Sequence, residues 1–354
     1  MDVKRHWLRN STRFKRAISM NDITIRQHSQ NNKLYFPNTE WEHFPKEKTW
    51  ARYKQASKSI ADTLDLYPAS ATNAHKIRNC ANRIRSPYTV DSETGEIRYL
   101  FSLREWACHD RVCPICRWRK SLERQAQFHA ALPFIRAKCR LISFLSLSLT
   151  VRNCNIADLR TMHRAMLKAW ARFVKHPKLK RIVKGWLRVT EITRSNDGDA
   201  HPHSHCIFAV HGFYYKSIAP DEWQPVWQEC LGVTSAVQVD VSVRSNNKSL
   251  NESITYTLKA QSMENIAKDI EDINYFIMFY EQTKNMRTFD TGGIFKDAFK
   301  KAKEDFNSKK KSHVLEPISN NVDMFAFNEM IGEGEYIHQY GLESSNNILD
   351  NIYK

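Results

Sequence analysis

Three histidines stand within five residues at His201-Pro202-His203-Ser204-His205. On a strand, side chains alternate, so His203 and His205 point to one face, about 7 Å apart along the chain. Two imidazoles so placed can share one divalent ion. His201 has the same parity, with Pro202 disturbing its geometry. A Mg2+ or Mn2+ ion needs a further ligand, often a carboxylate. Glu191 is the candidate, because it lies on the preceding extended stretch among Val189 and Ile192, where an unpaired charge is costly. The competing reading is an exposed histidine-rich strand and a surface glutamate.

A second group lies downstream. If residues 249–261 are helical, Glu252, Tyr256 and Lys259 share one face at i, i+4 and i+7. A phenol is a poor nucleophile near neutral pH, with a reference pKa of about 10, and a nearby cation or metal favours the phenolate. Alternatively, Tyr256 is an ordinary residue of an amphipathic helix and Glu252 with Lys259 a solvated pair. Tyr275 and Tyr280 are rivals, but they stand among Ile273, Phe276, Ile277 and Phe279, as in a core stripe.

The third group is built from thiols. Cys113-Pro114-Ile115-Cys116 is a C-x2-C knuckle, preceded by Cys108, and Cys80 lies across a predicted hairpin. Four thiolates suit structural Zn2+, with His109 as substitute ligand if Cys80 is too far. A redox pair lacks its usual βαβ context, and free buried cysteines are the other alternative. Cys139, Cys154, Cys206 and Cys230 read as small core residues.

The elements that must position these groups follow from periodicity. Thr49 to Leu66 predicts a helix ended by Pro68. Arg83 to Val90 and Ile97 to Leu103 predict a hairpin around Asp91-Ser92-Glu93-Thr94-Gly95, and Arg117 to His129 a helix. Leu141 to Val151 reads as a strand, and Asn155 or Asp158 opens a helix that runs to His176-Pro177. Trp186 to Thr193, His201 to Val210 and Ala236 to Arg244 read as strands, followed by helices at about 249–261 and 263–284. This order predicts an α+β fold with a central antiparallel sheet and helices packed on one face. The expected organisation is a polar arm with a helix (1–75), a cysteine-rich hairpin and helix (76–130), a catalytic domain (131–299), and a basic linker and tail (300–354).

The 354 residues carry 54 Lys and Arg against 38 Asp and Glu, a formal +16 that favours polyanionic partners. Basic and aromatic residues gather at Arg104, Trp106, Arg111, Arg117, Trp118, Arg119 and Lys120, a mixture suited to phosphate contact and base stacking. Arg117, Arg119 and Lys120 are the DNA-binding candidates, although a solvated basic helix with its tryptophans in the core fits equally. Lys175 to Lys184 is a second basic stretch that could grip a duplex. No apolar run is long enough to span a membrane and none resembles a secretory signal, so a cytoplasmic protein without a membrane partner is expected.

Taken together, these motifs resemble the Rep_1 family of plasmid rolling-circle replication initiators, within the HUH endonuclease superfamily. Phe144 to Asn153 looks like the family's first motif, His201 to His205 like its second, and Glu252 to Lys259 like its third, in the family's order. The resemblance covers roughly residues 75–265. Ser204 departs from the hydrophobic residue usual between the paired histidines. The resemblance implies a ferredoxin-like or RRM-like sheet, a metal held by His203 and His205, and Tyr256 attacking origin DNA to leave a 5′-phosphotyrosine and a 3′-OH primer. It implies that Glu252 activates water at termination; on chemical grounds Lys259 could steady the phosphate or lower the phenol pKa. Cys108 to Cys116 matches the family's cysteine segment, which points to zinc. Origin DNA, double- and single-stranded, is the implied partner. A host helicase and polymerase are expected, since no phosphate-cradling loop occurs here. The rivals are a transposase or relaxase of the same chemistry, and a non-catalytic zinc-dependent DNA-binding regulator.

Overall fold

The computed structural model describes residues 47–90, 97–99, 104–105, 107–138, 141–212, 218–234, 237–244, 246–259, 265, 270–311, 321–328 and 335–338. They form two compact units, one drawn from Met1–Ile115, Ile266–Glu271 and Pro317–Lys354, the other from Cys116–Asn265 and Asp272–Glu316.

In the first unit, helix α1 (Glu47–Asp65) buries Trp50, Ile60, Ala61 and Leu64. It stops ahead of Pro68, and the Ser70 hydroxyl donates to the Leu64 carbonyl at 2.7 Å, satisfying an end-of-helix acceptor. Helix α2 (Ala71–Asn79) follows, tied to α1 through Arg78 and Asp62 at 2.8 Å. Strand β1 (Arg83–Val90) then pairs antiparallel with β2 (Ile97–Tyr99) and β3 (Arg104–Glu105). The expected hairpin forms, although its turn lies outside the described residues. On its other edge β1 pairs with Asn321–Asn328, which pairs in turn with Glu335–His338. Residues read from sequence as linker and tail therefore complete a five-stranded sheet.

The second unit begins inside the first turn of α3 (Pro114–Lys138). This helix outruns its expected end at His129 and carries Pro133 inside it. Phe128, Ala131 and Ile135 are fully buried, and that burial offsets the lost backbone hydrogen bond. Then come β4 (Ile142–Thr150), α4 (Leu159–Phe173), β5 (Val183–Arg194), β6 (Ala200–His211), α5 (Trp223–Leu231), β7 (Val239–Arg244), α6 (Asn247–Thr257), α7 (Ile273–Thr283), β8 (Phe289–Gly293) and α8 (Ile294–Lys311). The strands form an antiparallel sheet in the order β7-β4-β6-β5-β8. The α+β class and the antiparallel sheet agree with the sequence expectation.

The placement of helices does not. They cover both faces of the sheet, because its inner strands are apolar on both. Leu145, Leu147, Cys206, Phe208 and Val210 pack with Met166, Trp170 and Phe173 of α4 and Trp227 of α5. Phe144, Leu187, Ile207 and Ala209, of opposite parity, pack with α3, with Leu250 and Ile254 of α6, and with Phe295 and Ala298 of α8. Strand β8 joins the sheet edge because Gly292 lies opposite Trp186; a Cβ there would sit 2.3 Å from the indole. Among the described residues no helix is long and apolar enough to cross a membrane.

Candidate metal and nucleophile site

Register assembles the first cluster. Glu191 of β5 lies directly opposite His203 of β6, and Ser148 of β4 lies opposite His205. Alternation turns Glu191, His203 and His205 towards the α6 face, the parity of Leu187 and Ile207. One carboxylate oxygen, Glu191 Oε2, stands 3.1 Å from His205 Nε2 and 3.4 Å from His203 Nε2. Burial alone would raise the Glu191 pKa. The hydrogen bonds of His203 and His205 and the charge of Lys259 outweigh it, holding the carboxyl well below the usual range.

The far nitrogens of both rings are also engaged. His205 Nδ1 lies 3.1 Å from the Ser148 hydroxyl, and His203 Nδ1 lies 3.3 Å from the His201 carbonyl. A proton on each Nδ1 would leave the Nε2 lone pairs for a cation, the usual support of a metal-binding histidine. Two imidazole nitrogens and a carboxylate oxygen, all within 4.8 Å of one another, fit a divalent ion by donor type and spacing. His201 is not in this group. Its Nδ1 lies 2.6 Å from Asn153 Oδ1, and its ring stands beside that of His203, centroids 5.0 Å apart. The roles of Ser148 and Asn153 are ones that sequence reasoning missed, although both lie in the strand motif singled out above. The alternating serines of β4 were the available signal.

Helix α6 brings up the phenol. Asn246 caps it, accepting from the Ser249 amide at 2.8 Å, and Leu250 and Ile254 anchor it to the sheet. Tyr256 is thereby left on the open flank, 54% exposed. Its ring meets that of His205 edge-on, with centroids 5.0 Å apart and planes at 78°. The Lys259 ammonium lies 4.0 Å from the centre of the tyrosine ring, a cation–π contact. Glu252 is exposed one helical turn upstream of Tyr256. The rivals Tyr275 and Tyr280 are buried in α7.

The second cluster is made of sulfur. The Sγ atoms of Cys80, Cys108, Cys113 and Cys116 lie within 4.8 Å of one another, so the donor set fits a tetrahedral zinc. The tight turns at Ala81 and His109, both at positive φ, bend the backbone around it. The Cys108 amide points at Cys80 Sγ at 3.5 Å, and the Asp110 amide at Cys108 Sγ at 3.4 Å. His109 is not needed as a fourth ligand. Of the DNA-binding candidates in α3, Arg117 and Arg119 are half-buried and Lys120 is exposed in an ion pair with Glu123 at 2.8 Å.

These residues define an α+β protein whose antiparallel sheet presents two imidazoles and a carboxylate beside an exposed tyrosine, on a strongly basic chain. Residues 100–330 match the Rep_1 family, described as replication protein. The chain is 28% identical over 284 residues to "Protein rep" of Lactiplantibacillus plantarum, covering 75% of this chain and 86% of that protein. It is 27% identical to "Protein rep" of Lentilactobacillus hilgardii, with 71% and 82% covered. It is 25% identical to "Protein rep" of Streptococcus pneumoniae, with 72% and 80% covered. No solved structure matches significantly. The chain belongs to the Rep_1 family of plasmid replication initiators.

Proposed function

We propose that this protein starts rolling-circle replication by nicking one strand at a plasmid's double-strand origin, with Tyr256 as nucleophile on an HUH-type sheet. The phenol oxygen of Tyr256 attacks the scissile phosphorus. The new bond joins tyrosine oxygen to phosphorus, and the bond from phosphorus to the 3′-oxygen breaks. The phenol proton passes to solvent or a nearby base, and the departing 3′-oxygen takes up a proton to become the primer hydroxyl. Glu191, His203 and His205 would hold Mg2+ or Mn2+, which when bound supplies positive charge to polarise the phosphate. Lys259, over the tyrosine ring, steadies the phosphate. Glu252 activates water for the closing step. Cys80, Cys108, Cys113 and Cys116 would hold a structural zinc. Host helicase and polymerase complete the process.

The observation that carries this reading is the 5.0 Å approach of the exposed Tyr256 ring to His205 of the ligand cluster. The test is conversion of supercoiled origin plasmid to nicked circles with Mn2+. Wild type should nick and Tyr256→Phe should not, while both bind the origin alike. Binding without nicking by wild type would favour a non-catalytic regulator instead.

A further inference from the structure

We infer that helix α4 and the turn after it form a second DNA surface that grips duplex flanking the nick, on the sheet face opposite Tyr256. This rests on the nicking function proposed above and extends it to a site with no part in the chemistry. Residues 159–184 contain nine Lys or Arg and no Asp or Glu. Arg160, Arg164, Lys168 and Arg172 recur every fourth residue, so they run down one flank of α4. Its opposite flank buries Leu159, Met166, Ala169, Trp170 and Phe173 in the core.

The charge on this flank is largely uncompensated. Arg172 donates through Nε to the Cys230 carbonyl at 2.7 Å, and Arg160 through Nη2 to the Glu281 carbonyl at 2.7 Å. Neutral acceptors fix both guanidinium groups without cancelling their charge. Arg164, Lys168 and Lys175 are exposed and form no ion pair among the described residues. Acids near it include Glu222, paired with Lys178, Glu229, 3.4 Å from His176, Asp158 at the helix start, and the exposed Glu281, whose carbonyl takes Arg160. An open cleft of about 430 Å³ adjoins the flank, lined in part by Arg172, Lys175 and His176 together with Glu229.

Two features select duplex DNA as the occupant. The aromatic residues of α4 are buried, so nothing here offers a platform for stacking unpaired bases. No large apolar side chain between 159 and 184 is among the exposed ones, which disfavours insertion into a membrane surface. Alternation across β6 sends Phe208 towards α4 and His205 towards α6, so one phosphate cannot meet both surfaces.

The test uses full-length protein carrying Arg164→Glu with Lys168→Glu, and the milder Arg164→Gln with Lys168→Gln in case charge reversal impairs folding. Origin-duplex binding is measured against salt, and nicking against a single-stranded oligonucleotide spanning the nick site. Duplex affinity should fall at least about 10-fold for the Glu pair, and the salt slope should drop by roughly 2, near 0.9 per lost phosphate contact. Single-strand nicking should stay at the wild-type rate. Unchanged duplex affinity and slope in both variants would overturn the inference, as would a parallel fall in single-strand nicking. So would a defect confined to binding of anionic vesicles. Failure of wild type to nick would sink the proposed function and leave the salt slope to report on this surface by itself.

Discussion

The four cysteines and the Glu191–His203–His205 group are the two places where described residues crowd ligand atoms within 4.8 Å, and their surroundings differ. Cys80 and Cys113 are wholly buried, and backbone amides point at the sulfurs of Cys80 and Cys108. Beneath them Lys54, fully buried, donates to the carbonyls of Arg78 and Cys80 at 2.6 and 2.7 Å. Burial pushes that lysine down to about 8 against the upward pull of Cys80. Every group there is bound by another. The histidine cluster instead has nitrogen and oxygen donors, a half-buried carboxylate, and a tyrosine exposed on one side. A closed site suits a metal that holds the fold, and a site open on one side suits a metal that meets a substrate.

The largest effect should follow loss of the sulfur site. Cys113→Ser with Cys116→Ser should reduce bound zinc from about one ion per chain to none, and unfold the first unit, because structural zinc contributes roughly 10 kcal/mol or more. Metal analysis and thermal melting check this. A variant that melts like wild type would erase the distinction between scaffold and reagent. Next, His203→Ala with His205→Ala should abolish Mn2+-stimulated nicking yet keep zinc content and most of the thermal stability. Nicking that persists in EDTA would remove the metal from the account.

Smaller effects sharpen the contrast. Ser148→Ala frees His205 Nδ1 and should weaken Mn2+ binding about 10-fold, the low end for a supporting hydrogen bond, without altering zinc. Equal affinity by calorimetry would show that β4 does not orient the ring. The smallest effect concerns acid. Glu191 has a folded-state pKa below its unfolded value near 4.5, so its contribution is present above that pH and is lost as pH falls through the folded value. In EDTA, stability below pH 4.5 should therefore decline less steeply for Glu191→Gln than for wild type. Parallel curves would mean that the carboxylate gains nothing from the two histidines.

Much of the geometry that brings Glu191, His203 and His205 together is legible in the sequence, because strand parity is a local property. His203, His205 and Glu191 needed only a two-residue period and a hairpin turning near Gly198. Tyr256 needed a helix with Leu250 and Ile254 on its inner side. What escaped depends on tertiary packing. The unbroken apolar run from Cys206 to Val210 signals a strand buried on both faces, so helices on both sides were implied, but the expectation placed them on one. The pairing of β1 with Asn321–Asn328 joins segments more than 200 residues apart, and no local pattern announces such a partner. The place of Gly292 on a strand follows from Trp186 packing where its Cβ would be, a contact no local pattern announces. His201 shares the parity of the ligands, but Asn153 engages it first.

The most direct test is to trap the covalent product. Full-length protein is incubated with Mn2+ and an origin oligonucleotide labelled on the 3′ side of the nick, digested, and the DNA-linked peptide sequenced. The account predicts a single adduct on Tyr256, through a 5′-phosphate. An adduct on Tyr275 or Tyr280, or cleavage with no linked peptide, would contradict it.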